Sequence, residues 1–315
     1  MTAMMQSTRR EFLKAAAGLT ATVCCAETAA LRPVKIIDTH THFYDPTRPQ
    51  GVPWPPKNDA VLYRTTLPKR YRALPVPQRV DGTVVVEASP WVKDNQWILD
   101  IAARDPFIVG LVGNLPLGTP ECAGHLKRFA ANPLFRGVRT RAGSFEKALD
   151  DRAFIADLRD AAERGLSFDV HSPPSWVAPA VRLAKLVPKL RLIINHVANA
   201  DVTGKEPSAE WQRMLKKLAA HPQVFMKVSG LVEGTKRRNG DAPADVDFYR
   251  PVLDILWKLF GADRLVYGSN WPVCEHCAPL GRVQQIAMTY FAGKGQTALD
   301  KVFWKNALVA YGLKS

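Results

Sequence analysis

Residues 150–172 read DDRAFIADLRDAAERGLSFDVHS, and this stretch joins a helix pattern to a strand pattern without a break. In residues 150–165 the apolar side chains recur every three or four positions, which is typical of an amphipathic helix, and Gly165 marks its end. Residues 166–172 are a short apolar run that ends in Asp169 and His171. A helix followed directly by a strand with a polar end is typical of a parallel α/β protein.

The same alternation runs through the rest of the chain. The strand candidates are VKIIDTHTHF (34–43), DGTVVVEAS (81–89), IVGLVGNLPL (108–117), FRGVRTR (135–141), LSFDVHS (166–172), RLIINHVAN (191–199), VFMKVSGL (224–231) and RLVYGSNWPV (264–273). Their first halves are rich in Val, Ile and Leu without polar alternation, as expected of strands that are buried on both faces. Helical segments lie between most of them, with Asp94 and Ser208 as predicted N-caps and Gly261 as a predicted stop.

Eight strand–helix units in one series predict an α/β fold, a single (β/α)8 TIM barrel over residues 31–315. A doubly wound open sheet is the alternative. The first connection, residues 44–80, is the exception, because it is long, rich in proline and has little helical period. A loop of this length after strand one is predicted to lie over the barrel mouth as a fixed lid, with Trp54, Tyr63 and Arg64 lining a pocket.

Residues 1–30 have a different character from the rest. Arg9 and Arg10 precede a short, weakly apolar, Ala- and Thr-rich stretch. This pattern predicts a twin-arginine signal peptide, and therefore export of the folded protein to the periplasm. The alternative is an ordinary basic arm. No run of 18 or more apolar residues occurs, so a membrane-spanning helix is not expected.

The formal net charge of +14 invites a nucleic-acid interpretation. However, the basic residues are spread along the chain and no nucleic-acid-binding motif is present, so an anionic small-molecule substrate or an acidic envelope surface is the better match. Outside the predicted signal, the cysteines are Cys122, Cys274 and Cys277. The CEHC motif (274–277) has no second pair for a structural zinc site, which leaves a local disulfide or free thiols.

Polar side chains recur at the predicted carboxyl ends of the strands, where the catalytic residues of a barrel lie. They are His40, His42, Glu87, Arg139, Arg141, Asp169, His171, His196, Lys227 and Asn270. Each has a structural alternative, such as a core hydrogen bond or exposure to solvent. Four of the seven histidines nevertheless fall at equivalent ends of three strands. Converging neutral imidazoles suit a divalent metal such as zinc, or they can polarise a carbonyl group directly by hydrogen bonding.

DTHTHF on the first strand, the single histidines that end strands five and six, and YGSNWPV on the eighth resemble the amidohydrolase superfamily. VVVEAS, RGVR and VFWKNALVAYGL resemble in particular its lactone hydrolases, which act on sugar-acid, pyrone-dicarboxylate or muconolactone substrates. The resemblance covers roughly residues 34–313. It implies a hydrolase with one divalent ion, often zinc, although some lactonases of this kind resemble metal-free catalysts.

By this resemblance His40, His42 and His171 are metal ligands, and His196 is a ligand or proton carrier. Arg139 is a clamp for a substrate carboxylate, and Arg141 and Lys227 also face the substrate. The family has a catalytic aspartate at the tip of strand eight, where this chain has Asn270. An amide orients water but does not take a proton near neutral pH. The candidates for a replacement base are a metal-bound hydroxide, His196, Glu87, Asp169 and, less directly, His276.

The sequence therefore predicts a metal-assisted hydrolase that opens a small carboxylated or polyhydroxylated lactone, with an anionic or sugar-derived substrate. One alternative is a catalytically silent protein that binds lactones or sugar acids, because Asn270 replaces the base. The other is a metal-dependent decarboxylase or hydratase on the same barrel. Assembly into a homo-oligomer is compatible with each of these hypotheses.

Overall fold

The computed structural model describes residues 32–139, 145–171 and 174–314. Eight parallel strands follow one another around a nearly closed barrel, in the order in which they occur in the chain. They are β1 (Ile37–Thr41), β2 (Gly82–Val86), β3 (Ile108–Asn114), β4 (Phe135–Arg139), β5 (Ser167–Val170), β6 (Arg191–Ile194), β7 (Val224–Val228) and β8 (Leu265–Tyr267). This order confirms the predicted TIM barrel and excludes the open sheet. The predicted signal peptide, residues 1–30, lies outside the described residues.

Helices pack between and after the strands. They are α1 (Pro68–Arg72), α2 (Lys93–Ala102), α3 (Cys122–Ala130), α4 (Phe145–Ala148), α5 (Arg152–Glu163), α6 (Val177–Leu186), α7 (Ala209–Ala219), α8 (Arg250–Phe260), α9 (Leu280–Ala292), α10 (Gln296–Asp300) and α11 (Asn306–Tyr311). Across the described part of the chain, none of the helices combines the length and the hydropathy that a bilayer span requires.

Three of the four predicted helix boundaries are confirmed and one is wrong. Gly165 follows the end of α5 at a φ of 72°. The Ser208 hydroxyl accepts a hydrogen bond from the Trp211 amide at the start of α7, and Gly261 ends α8 at a φ of 64°. Asp94 instead lies inside the first turn of α2. Its carboxylate binds Arg48 of the loop after β1 at 3.1 Å, so it joins that loop to the barrel and does not cap the helix.

The seam between β1 and β8 closes the barrel near its mouth. Thr41 forms a parallel bridge with Trp271, and the His42 amide donates to the Trp271 carbonyl at 2.8 Å. The buried Asp38 carboxylate accepts hydrogen bonds from the amides of His40 and Ser269. These contacts hold the His40 and Asn270 segments beside each other.

The core has two parts. A large cluster of buried residues fills the space between the strands and the surrounding helices. A smaller cluster joins strand residues such as Val84, Val112 and Val266 to Tyr311 of α11. Burial of these apolar surfaces stabilises the fold by roughly 25 cal/mol per Å². The C-terminal helix is therefore part of the barrel core, and the hydroxyl of Tyr311 reaches the base of the site.

The loop after β1 is attached to the barrel along its length. Tyr44 and Thr66 exchange two backbone hydrogen bonds of 2.9 Å where the loop leaves and rejoins the barrel. Arg48 binds Asp94, and Asp59 binds His276 at 3.0 Å. The long connection is thus an ordered cover rather than a free loop.

Candidate active site

The carboxyl ends of the strands surround a cavity of about 650 Å³. Six of the residues that the sequence singles out line it, namely His42, Trp54, Arg139, His171, His196 and Asn270. His40 and Lys227 are fully buried and are not among the residues that line this cavity. Arg141 lies outside the described residues. The barrel mouth thus brings together most of the predicted site.

Three predicted positions, Glu87, Tyr63 and Arg64, are arranged differently. Arg64 is exposed, contacts Glu275 at 3.7 Å and is not among the residues that line the main cavity. Glu87 contributes to a small separate cavity of about 20 Å³ and binds Arg139. Tyr63 is half-buried in the loop after β1 and is not among the residues that line the main cavity, whereas Trp54 is, with its ring centroid 5.6 Å from that of His42. Trp54 therefore forms the aromatic part of the cavity wall.

The imidazoles form one cluster. The ring centroid of His40 lies 5.0 Å from that of His42 and 4.5 Å from that of His196, and the centroids of His171 and His196 are 6.2 Å apart. His42 Nδ1 lies 2.8 Å from the carbonyl oxygen of Val86. Because a carbonyl only accepts, the neutral His42 ring carries its proton on Nδ1 and has its lone pair on Nε2.

Beneath the cavity, Lys227 of β7 connects two other strands. Its ammonium group lies 2.7 Å from Asp169 Oδ2 and 3.2 Å from His40 Nδ1, and both Lys227 and Asp169 are 0% exposed. The Tyr311 hydroxyl donates to the same Asp169 oxygen. Burial lowers the pKa of Lys227, while Asp169 opposes this shift. The pair is therefore a buried ion pair that fills the base of the site.

The ammonium group of Lys227 also determines the state of His40. An ammonium group donates only, so His40 Nδ1 is the acceptor and the proton of the neutral ring is on Nε2. Burial, and then the positive charge of Lys227, keep the pKa of His40 well below its usual value, so the ring is neutral near pH 7. Its Nε2 atom has no hydrogen-bond partner among the described residues.

His196 follows β6 in an unusual backbone conformation. Four consecutive residues, His196–Asn199, have φ between 45° and 55°, a left-handed region that is costly for residues other than glycine. Gly230 permits this turn, because a Cβ atom there would lie 2.6 Å from His196 Cβ. The chain thus tolerates local strain in order to place His196 on the cavity wall.

Ser229 orients the His196 ring. Its Oγ accepts a hydrogen bond from the His196 amide at 3.2 Å and lies 3.0 Å from His196 Nδ1. The Ser229 hydroxyl can donate its own hydrogen to Nδ1, and in that tautomer the His196 ring carries its proton on Nε2. Burial keeps the pKa of His196 well below its usual value. His196 is therefore a neutral imidazole that can offer an N–H group to the cavity.

Arg139, the last residue of β4, binds Glu87 of the turn after β2. Its Nε lies 3.2 Å from Glu87 Oε1, and its terminal nitrogen donates to the Glu87 carbonyl at 2.7 Å. Both side chains are almost fully buried, at 6% and 5% exposure. Arg139 thus lines the cavity, but its charge is already compensated by a carboxylate.

Asn270 binds a carboxylate that the sequence analysis did not identify. Its Nδ2 donates to Glu233 Oε1 at 2.8 Å, and both residues line the cavity. Burial raises the pKa of Glu233 to about 7, while the bond from Asn270 opposes this shift. Glu233 Oε2 is enclosed and has no hydrogen-bond partner among the described residues. The sequence does place a carboxylate just after strand seven. It was missed because the motifs that carry the family resemblance do not include this position.

The CEHC segment is separate from this chemistry. Cys274 and Cys277 are buried and free, as is Cys122, so the thiol alternative is confirmed and the disulfide is excluded. His276 binds Asp59 of the loop after β1 and is not among the residues that line the cavity. The segment attaches the cover to the barrel.

The geometry of the described residues does not fit a divalent ion. Nowhere in residues 32–139, 145–171 or 174–314 do three His, Cys, Asp or Glu side chains form a group that could hold a metal. His40 gives the physical reason, because Nδ1 accepts from an ammonium group and Nε2 carries the ring proton, so neither nitrogen offers a lone pair. The divalent metal therefore stays a prediction from the resemblance.

Comparisons with known proteins agree with one another. A family model described as Amidohydrolase matches residues 37–313. An L-fucono-1,5-lactonase from Burkholderia ambifaria is 30% identical over 247 residues, which are 78% of this chain and 83% of that protein. A second L-fucono-1,5-lactonase, from Burkholderia multivorans, is 27% identical over 282 residues, which are 85% of this chain and 92% of that protein.

The fold also matches solved structures. A Burkholderia multivorans amidohydrolase with bound zinc aligns with a TM-score of 0.78 at 23% identity, and the match covers 89% of this chain and 100% of that one. At this level of identity the likeness is evidence for the fold alone. The zinc ion belongs to that protein.

Proposed function

Because the chain belongs to the amidohydrolase family, we propose that it hydrolyses a lactone, and that its substrate is a neutral, polyhydroxylated sugar lactone. Water adds to the carbonyl carbon, the bond between this carbon and the ring oxygen breaks, and the product is a hydroxy acid. Lactonase relatives at 30% and 27% identity over most of the chain support the reaction. The charge arrangement of the cavity supports the substrate class.

The observation that carries the substrate class is that the cations of the cavity are already paired. Arg139 binds Glu87, and Lys236 at the rim binds Asp201 at 2.6 Å. Within the described part of the chain, these two are the Lys or Arg residues that line the cavity. The Lys236–Asp201 pair is exposed and weak, so Arg139 is the cation that decides the substrate class. A substrate carboxylate would have to compete with the buried Glu87 carboxylate for Arg139. This argues against the predicted role of Arg139 as a carboxylate clamp and favours an uncharged substrate.

The rest of the wall suits hydroxyl groups. Asn199, Asp201 and Asn270 supply amide and carboxylate groups that bind hydroxyls, and Trp54 supplies an apolar ring face. Polar groups around one aromatic side chain match the alternating polar and apolar surface of a sugar ring. The volume of about 650 Å³ accommodates a monosaccharide lactone.

In the proposed reaction, His196 binds the carbonyl oxygen of the lactone. The neutral ring donates from Nε2 to the oxygen on which negative charge develops, while Ser229 holds Nδ1. Loss of one such donor typically costs about 10²- to 10³-fold in rate. His40 packs against this ring and against His42, and we assign both to the shape and polarity of the same pocket.

The proposed chemistry does not include a metal, because His40 is bonded to Lys227 and has no lone pair to offer. Elemental analysis of the purified protein tests this point directly. We expect substoichiometric zinc and turnover that survives dialysis against a chelator. Stoichiometric zinc together with loss of turnover on its removal would instead support the metal-assisted form of the sequence prediction.

Proton release from a panel of lactones tests the function. We expect turnover of neutral 1,5- and 1,4-lactones of sugar acids, weak or no turnover of dicarboxylated lactones, and a drop of about 10²-fold or more for His196→Ala. Preference for the carboxylated substrates would overturn the substrate class. Thermal stabilisation by a lactone without product would indicate the silent binding protein, and release of carbon dioxide would indicate a decarboxylase.

We also propose that residues 1–30 direct export, on the basis of Arg9 and Arg10. N-terminal sequencing of the protein from a periplasmic fraction tests this. We expect a mature chain that lacks these residues, and cytoplasmic retention of the Arg9→Lys, Arg10→Lys variant.

A further inference from the structure

The carboxylate of Glu233 occupies a position in which the chemistry of ring opening can use it. Glu233 begins a short 3-10 turn, Glu233–Thr235, after β7, and Asn270 follows the neighbouring strand β8. Their side chains meet at the cavity wall through the 2.8 Å hydrogen bond from Asn270 Nδ2 to Glu233 Oε1. The cavity wall therefore holds a carboxylate that contacts Asn270, which follows the eighth strand.

Within residues 32–139, 145–171 and 174–314, no Lys or Arg side chain pairs with the Glu233 carboxylate. The groups that face it are Asn270, Tyr249 of α8, and the thiols of Cys274 and Cys277. Lys236, three residues further along, binds Asp201 instead. Burial raises the pKa of both thiols and of Tyr249, so these neighbours are uncharged near neutral pH. Glu233 therefore keeps its affinity for a proton.

The enclosed Oε2 atom adds an independent observation. The carboxylate forms one hydrogen bond through Oε1, and Oε2 has no donor among the described residues. A buried carboxylate oxygen that lacks a donor carries a desolvation cost unless a water or ligand hydroxyl supplies one. Oε2 is thus an acceptor on the cavity wall that has no hydrogen-bond donor within the described part of the chain.

The other carboxylates near the mouth are paired with cations, although Asp169 Oδ1 also lacks a hydrogen-bond donor among the described residues. Glu87 binds Arg139, and Asp169 binds both Lys227 and Tyr311 below the cavity. The hydrogen bonds of Ser229 are compatible with His196 as a donor toward the cavity. Of the carboxylates considered for proton transfer, Glu233 lies on the cavity wall and has no cationic partner among the described residues.

We propose that Glu233 is the general base of the lactone hydrolysis, and that Asn270 is the residue that positions its carboxylate. This rests on the function proposed above. Glu233 takes a proton from water as the water oxygen bonds to the carbonyl carbon, and the carbonyl electron pair moves to the oxygen held by His196. When the carbon–ring oxygen bond breaks, the ring oxygen takes the proton back from Glu233. The new carboxylic acid ionises, which accounts for the proton released to solvent.

The test compares kcat/KM across pH 5.5–9 for the wild type, Glu233→Gln and a control, Glu163→Gln. The Glu163 side chain is exposed and pairs with Lys189, so it has no contact with the site described above. For Glu233→Gln we expect a loss of about 10²- to 10⁴-fold at pH 8. We expect the wild-type kcat/KM to increase as the pH rises through about 7, and we expect this increase to be absent in Glu233→Gln. Glu163→Gln should match the wild type.

An exchange variant separates catalysis from folding. Glu233→Gln combined with Asn270→Asp moves the carboxylate across the same hydrogen bond, and we expect it to regain at least tenfold over Glu233→Gln alone. A variant Glu233→Gln that keeps more than a third of the wild-type kcat/KM with an unchanged pH profile would refute the base assignment alone. Absence of turnover by the wild type on the whole lactone panel would overturn the proposed function, and the base assignment with it.

Discussion

At the carboxyl ends of the strands, Glu87 and Asp169 each bind a buried cation, whereas Glu233 binds the neutral amide of Asn270. The three carboxylates lie within the turns and strand ends of one barrel, yet they have different partners. A carboxylate beside Arg or Lys is held as an anion, whereas one that is buried beside an amide keeps a pKa near neutrality. The contrast separates carboxylates that hold the site together from one that can exchange a proton.

The largest effect is expected for a carboxylate that is paired with a buried cation. Lys227→Met leaves Asp169 buried without its partner, which typically costs about 3–5 kcal/mol in the free energy of unfolding. Urea denaturation measures this loss. Lys189→Met is the matched control, because its pair with Glu163 is exposed, and we expect it to change stability by less than about 1 kcal/mol. Equal effects of the two variants would remove the distinction between the buried and exposed pairs.

The second prediction concerns the contribution to stability of Glu233, the carboxylate that is bound by an amide. The folded pKa of Glu233 is raised from 4.5 to about 7, so its stabilising contribution is complete below about pH 4.5 and is lost as the pH rises through about 7. Glu233→Gln does not titrate. Relative to the wild type it should therefore gain stability between pH 5 and pH 8.5, by up to about 3 kcal/mol. Thermal unfolding at the two pH values measures the gain, and a difference that does not vary with pH would contradict it.

The smallest effect is expected for Asn270→Asp, which places a second carboxylate next to Glu233. Two carboxylates at this distance share one proton, so the variant should lose ~1–2 kcal/mol at pH 8 and recover at pH 5. The double variant with Glu233→Gln removes one of the charges and should abolish the pH-dependent loss. Thermal unfolding of the single and double variants at both pH values checks this expectation.

The sequence predicted the barrel and much of its mouth because both depend on local pattern. Alternation of strand and helix gave the topology, and polar residues at strand ends located His42, Arg139, His196 and Asn270 on one cavity. The predicted strands were too long at their carboxyl ends. At His196, for example, the backbone leaves the sheet and enters a left-handed turn.

The pairing of charges could not be predicted in the same way. Arg139 and Glu87 are separated by 52 residues, and Lys227 and Asp169 by 58. Which cation meets which carboxylate depends on strand neighbours and side-chain length, and neither has a periodic signal. Glu233 was missed for a related reason, since it lies in an irregular turn and its importance appears only through its bond to Asn270.

The cover formed by the loop after β1 has a consequence for the rate of turnover. It is held at its base by the Tyr44–Thr66 pairing, to α2 through Arg48, and to the CEHC segment through Asp59. Opening it would require several of these bonds to break at once. We therefore expect the cover to stay in place while substrate enters, so that no opening motion limits kcat. Added viscogen should then slow only the diffusion of substrate and product.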